Sequence, residues 1–282
     1  MHGTRDSSPA LVPAAEYSTT HRARSGYFGL LGSLMDRPGI TRTLFVLMLL
    51  AVWEIAGRAF GDPLFIATPL QIIVALPQLI TVPGIAPALL TTGWEVLIAF
   101  ALALFFGFCS GLLLGRIGFA HRSLMPIVVM LYALPQVTII PLFMMSFGIG
   151  PASKIAYGVS HGIFPIIITV SASMGNVPSV LLKSARSMGA SRWQTLLNVL
   201  LPHSAPGLFA GMRLGLNATL LGVILAELYA SKTGVGYFAQ KFAINFEPKL
   251  LFALVALIAA LAIVLNEGLR RLEARISFWR DG

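Results

Sequence analysis

Apolar residues run along this chain in long blocks, separated by short breaks rich in proline, glycine or basic residues. A helix that crosses the hydrocarbon core of a membrane needs roughly 17–25 mostly apolar residues. Six blocks serve: Thr43 to Phe60, Leu89 to Leu114, Leu124 to Phe147, Ile155 to Met174, Gly207 to Leu228, and Leu250 to Leu269. The segment "TPLQIIVALPQLITVPG" between the first two is too short and too punctuated by proline to span, and it predicts a helix lying at the interface. Pro126, Pro135 and Pro141 interrupt the third block, where proline frees backbone carbonyls and bends a membrane helix. The pattern predicts an all-α polytopic membrane protein with six transmembrane helices.

Residues 1–40 break this pattern. "MHGTRDSSPALVPAAEYSTTHRARSG" has little to bury and reads as a disordered tail, followed by "YFGLLGSLM" at the membrane surface. The domain division expected is therefore a cytoplasmic tail over 1–40 and a membrane domain over 41–282, with no cleavable signal peptide.

Composition supports the membrane assignment. Of 282 residues, 56% are hydrophobic and 11% are charged, against roughly 25% charged in soluble domains. The net charge of +9 is spread among loops, which does not suit a nucleic-acid partner. A single cysteine, Cys109, excludes an intramolecular disulfide framework and a multi-cysteine metal site. The distribution of Lys and Arg sets the orientation. Arg5, Arg22, Arg24, Arg37 and Arg42 precede the first span, and Arg116 with Arg122 follow the second. Lys183, Arg186 and Arg192 follow the fourth, and Arg270, Arg271, Arg275 and Arg280 end the chain. The opposite side holds only Arg58, Lys154, Lys232, Lys241 and Lys249, so both termini are expected in the cytoplasm.

The cytoplasmic segment 177–202 has its own pattern. Leu181, Ala185 and Met188 fall on one helical face, with Lys183, Ser184, Arg186 and Ser187 mostly elsewhere. Gly189 interrupts it, and Ser191 with Gln194 three residues on makes a capping-box signature that restarts a helix beside Arg192. Pro202 is expected to end this second piece. A helix, a glycine corner and a second helix predict a knob suited to another protein's groove.

"SARSMGASRWQTLLNVLLP" resembles the EAA loop of permease subunits of bacterial ABC importers, a pattern of Glu-Ala-Ala, three residues, Gly, nine residues, Ile, one residue, Leu-Pro. Ser184 and Ala185 stand at the two Ala places, Gly189 at the Gly, Val199 at the Ile, and Leu201-Pro202 closes the motif. Lys183 departs from it, standing where the family usually has Glu. "LPQVTIIPLFMMSFGIGPASKI" and "GMRLGLNATLLGVILAELYASKTGVGYF" are similar to the nitrate/sulfonate/taurine branch, and the likeness covers residues 41 to 280. The resemblance implies the type I importer permease fold in a bacterial inner membrane. It implies a permease dimer, a homodimer in preference to a heterodimer, with each copy clamped to an ATPase subunit and solute supplied by a binding protein. Lys183, Ser184, Ala185, Arg186, Gly189, Ser191 and Arg192 would couple to that ATPase. No cofactor is expected in this chain, with ATP and Mg bound by the partner. In agreement, the sequence contains no Gly-x-x-x-x-Gly-Lys-Ser/Thr phosphate loop.

Other residues bear on what is carried. No Asp or Glu lies between Glu95 and Glu227, which disfavours an ATP-independent carrier coupled to protons or sodium and suits an anionic solute such as a sulfonate, nitrate or carboxylate. A neutral or heterocyclic vitamin precursor is the alternative. Tyr132, Gln136, Met144 and Met145, around the prolines of the third span, and Arg213, Asn217 and Glu227 in the fifth are candidates to line the pathway. Packing is the alternative for the methionines, and snorkelling to the cytoplasmic face is the alternative for Arg213. Glu227 would gate, pair with Lys232 or face water. Glu54 and Arg58 form a structural i, i+4 pair. "GVSHG" (158–162) matches the nucleophile elbow of serine hydrolases as a string, but that motif needs a strand-to-helix turn. On a helix Ser160 and His161 point about 100° apart, and glycine and serine here read as packing residues.

Overall fold

The computed structural model describes residues 38–276, so the tail expected over 1–40 lies almost wholly outside them. Every regular element described is a helix. The chain divides within its first helix, α1 (Pro38–Phe60), into one unit up to Trp53 and a second from Glu54 onward. In the first unit α1 is apolar from Leu44 to Trp53, and Leu44, Leu47 and Leu50 are exposed.

The second unit is built on three long helices, α3 (Ile85–Arg116), α6 (Pro151–Gly175) and α9 (Leu201–Ala230), with α6 packed against both others. Small residues make that packing close. On α3 Gly107, Gly111 and Gly115 recur every four residues, and a Cβ added at each would come within 2.9, 2.7 and 2.6 Å of Ile166, Val170 and Met174 of α6. Gly207, Gly211 and Gly215 of α9 meet Ser173, Thr169 and Ile166 of α6 in the same way. Within a bilayer lipid is as apolar as leucine, so helices associate through such close packing and not through hydrophobic exclusion.

A second layer flanks this core. Helices α2 (Pro69–Thr81), α10 (Val235–Ile244) and α11 (Pro248–Ile276) share one apolar cluster, with Ile72, Ala75 and Leu79 of α2 against Phe238, Phe242, Ala253 and Leu254. The segment expected to be interfacial is thus a short helix with one buried face.

The third span is broken. α4 (Gly118–Ala133) ends before Pro135, a 3-10 turn follows over Gln136–Ile139, and α5 (Ile140–Phe147) leaves at 83° to α4. Proline disfavours the helical region for the residue before it, and Leu134 is accordingly extended at φ −63°, ψ 142°. The bend expected of the third block's prolines thus falls at Pro135, between α4 and α5. Among the described residues, five helices are long and apolar enough to cross a membrane, and the bent pair makes a sixth if it counts as one span.

Candidate functional site

The basic segment forms two helical pieces around a corner. α7 (Ser179–Ser187) buries Ala185 and closes in a Schellman arrangement. The Ala190 amide donates to Ala185 O and the Gly189 amide to Arg186 O, each at 3.0 Å. That closure needs a left-handed residue, and Gly189 has φ +74°. No atom lies within 4 Å of where its Cβ would stand, so glycine is required for the backbone and not for space. Ser191 then caps α8 (Arg192–Thr195): the Gln194 amide donates to Ser191 Oγ at 3.2 Å, and the Ser191 amide to Gln194 Oε1 at 2.8 Å.

Two expectations are corrected here. Met188 does not share the buried face with Ala185: it lies beyond the last turn of α7 and is 79% exposed. Pro202 does not end the second piece. A π-turn over Leu196–Leu200, with the Leu201 amide donating to Leu196 O, precedes Pro202 in the first turn of α9, and one helix runs from Arg192 to Tyr229. At the start of a helix the missing proline amide costs little, and the wider π-turn carries the chain past it. The segment's free surface carries Met188 and the 71%-exposed Trp193 among the exposed Lys183, Ser184, Arg186 and Arg192.

At the far end of α9 lies a buried polar cluster. Lys154 Nζ of α6 is 2.7 Å from Glu95 Oε1 of α3, with both side chains at most 5% exposed. Glu227 is fully buried, accepting from Thr92 Oγ1 at 2.7 Å and from the Gly236 amide at 2.8 Å. Thr92 Oγ1 accepts in turn from the Val235 amide at 2.9 Å. The Glu227 carboxylate thus satisfies the open N-terminus of α10, where a negative charge is favoured. It neither pairs with Lys232 nor faces water. Lys154, read from sequence as a loop cation, is an interior partner of Glu95. Glu95 and Lys154 are the only Asp, Glu, Lys or Arg residues of α3 and α6 apart from Arg116 at the end of α3, and that is the signal in the sequence that points to this pair.

The other pathway candidates are scattered. Arg213 pairs with Glu273 of α11, and Asn217 Oδ1 accepts from Asn266 Nδ2 at 2.6 Å. Tyr132 is exposed, its ring 6.2 Å from that of Phe164. Gln136 Oε1 is buried without a hydrogen-bond partner, Met144 packs partly against Ile140 and Tyr157, and Met145 is 86% exposed. Glu54 accepts from Arg58 Nε at 2.6 Å as expected, and also from the Leu70 amide at 2.9 Å at the start of α2.

The arrangement around "GVSHG" does not fit a hydrolase. Ser160 Oγ donates to Tyr157 O at 2.7 Å, and His161 Nδ1 lies 3.3 Å from the same carbonyl, so the two turn to the backbone and not to each other. Gly158 and Gly162 lie against Val223 and Thr219 of α9, which is the packing role. Among the described residues, no group of three His, Cys, Asp or Glu side chains is placed to hold a metal ion.

Residues 103–278 match the family described as binding-protein-dependent transport system inner membrane component. The chain is 31% identical to the taurine transport system permease protein TauC of Escherichia coli K12 over 80% of its length and 84% of the relative's. It is 26% identical to the formylaminopyrimidine transport permease protein ThiX of Halalkalibacterium halodurans, over 84% of its length and 95% of the relative's. Among solved structures, the MetNI methionine ABC transporter in an inward-facing conformation shares the fold, with a TM-score of 0.58 at 22% identity, covering 67% of this chain and 96% of that one.

Proposed function

The chain belongs to the family of binding-protein-dependent transport system inner membrane components, and from that premise we propose how this permease subunit of an ABC importer is driven and what it carries. The segment from Lys183 to Leu196 seats a separate ATPase subunit, which binds the ATP and Mg, while this chain contributes the pathway and holds no cofactor. Lys183, Ser184, Ala185, Arg186, Gly189, Ser191 and Arg192 make up that seat. The observation that carries this reading is the corner at Gly189, where a left-handed residue and a full capping box turn an exposed Trp193 and four exposed polar or basic side chains outward. Both termini lie in the cytoplasm by the Lys/Arg bias, and two copies of this chain form the pathway. Solute arrives from a binding protein on the other side.

The solute is a small anion of the sulfonate kind. The absence of any carboxylate between Glu95 and Glu227 supports this, as does the likeness to a taurine permease. Lys154 no longer contributes, because Glu95 neutralises it.

The seat is tested by co-purifying the ATPase with the permease and measuring uptake in cells. Gly189→Val forces a β-branched residue to positive φ, at about 1–2 kcal/mol, and meets no neighbour. Membrane abundance is expected to stay near wild type while ATPase capture and uptake are lost. Arg186→Glu is expected to weaken capture more mildly. Full capture and uptake by Gly189→Val would overturn the seat.

A further inference from the structure

The helix that leads from the ATPase seat toward the outer end of the molecule is weak at one place. A π-turn over Leu196–Leu200 precedes Pro202 at the start of α9, and Pro206 follows one turn later. Neither proline has an amide to donate, and residues four apart share one face of a helix. One face of α9 therefore lacks two successive ladder bonds just beyond a widened turn. Sharp bends in helices fall at proline and at π-turns, and a π-turn inside a helix often marks a functional site.

The surroundings divide at the same point. A cavity of about 350 Å3 lies against this stretch, lined by Pro202, Ala205, Phe209 and Met212 of α9 with Phe108 of α3 and Val170 of α6. All its lining residues are apolar. Close-packed seams resist displacement, whereas a helix can lean into a cavity. Another face of α9 is held. Ser204 Oγ donates to Ser173 O of α6 at 3.1 Å, and from Gly207 the glycine row lies against Ser173, Thr169 and Ile166. Gly222 continues the seam, where a Cβ would stand 2.9 Å from His161. On the seat's side of Ser204 the hold is looser: Leu196 and Leu200 rest on Met174 and Val177 through apolar contact, which has no fixed direction.

We propose that α9 hinges over residues 196–206, so that its first turns swing with the ATPase seat while the seam with α6 from Gly207 stays shut. Pro202 and Pro206 are positioning residues for transport: they set where the helix bends, Ser204 marks the pivot, and the cavity takes up the movement. The seat ends at Leu196, where the π-turn begins, so a displacement imposed on the seat enters α9 at its weakest point. For an arm of about ten residues, a bend of about 20° moves the tip by about 5 Å. The cytoplasmic end of the pathway would open and close by that swing without loosening the glycine seam. The proposal rests on the ATPase seat.

The test uses the complex of the full chain with its ATPase, and two changes outside the seat. Ala205→Leu fills part of the cavity, and Pro202→Ala with Pro206→Ala restores two amides and a better helix former. Both variants are expected to capture the ATPase like wild type, to melt at or above it, and to lose solute uptake in cells. A packing role alone would not separate uptake from capture and stability in this way. Hydrogen exchange read by mass spectrometry then locates the movement. In the wild-type complex, ATP with Mg is expected to change exchange at residues 196–206 and not at 207–222, and in both variants that change disappears. Normal uptake by either variant, or a wild-type change spread evenly over 196–222, overturns the hinge. If a variant melts low, the wild-type exchange decides by itself. Wild type that captures no ATPase overturns the seat and the hinge with it, whereas capture with exchange at 196–206 indifferent to ATP overturns the hinge alone.

Discussion

Glu95 and Lys154 illustrate what a single residue carries in this fold. Each is buried, and each is tolerable only because the other is 2.7 Å away. Removing one member of such a pair leaves a buried charge uncompensated, at about 3–5 kcal/mol, whereas replacing both by apolar residues of similar volume is often neutral. Glu95→Gln is therefore expected to melt well below wild type in detergent. The double change Glu95→Leu with Lys154→Met should melt above the single, and a double variant no better than Glu95→Gln would count against the pairing. Legibility at this scale follows distance along the chain. The Gly189 corner and the Ser191–Gln194 box could be read because a cap is settled within a few residues. Glu227 and Thr92 are 135 residues apart, and no local pattern announces that bond.

Helices were legible where apolar length decides and less so where backbone chemistry does. All six apolar blocks reappear in helices, with ends that move by several residues. The bend after Ala133 follows from Pro135, but the same rule applied to Pro202 predicted a stop where the π-turn carries the helix through. The glycine rows on α3 and α9 were visible as letters, yet which helix they face depends on packing. Gly111→Val puts a Cβ where Val170 stands 2.7 Å away, and overpacking of this kind costs about 1–3 kcal/mol. Gly93→Ala on the same helix meets nothing within 4 Å, and it gains the helix preference of alanine, about 0.5–1 kcal/mol. Thermal melts monitored by size-exclusion chromatography should lower the first and hold or raise the second. Equal behaviour of the two would contradict a close α3–α6 seam.

For the whole molecule, the family and the membrane architecture were legible because hydropathy and the spacing of one loop are long-range statements written locally. The pathway candidates, on α4, α5, α9 and the turn over Gln136–Ile139, meet different neighbours, and no local pattern in the sequence joins them. Orientation has a direct check: a reporter active only in the cytoplasm should work when fused after Arg122 or Ser191 and fail after Gly84 or Lys241. Activity at Lys241 would contradict six crossings with both ends inside. The buried pair bears finally on the order of synthesis. Glu95 leaves the ribosome before Lys154 exists, and at roughly 5–20 residues per second the ~60 intervening residues take about 3–12 s. During that interval α3 holds an unmatched carboxylate in the bilayer, at a penalty of about 3 kcal/mol by insertion scales. Its first placement is then provisional, and the arrival of α6 commits it. A nascent chain stalled before Pro151 should therefore present an α3 that slides or is degraded, while one released after Gly175 should not.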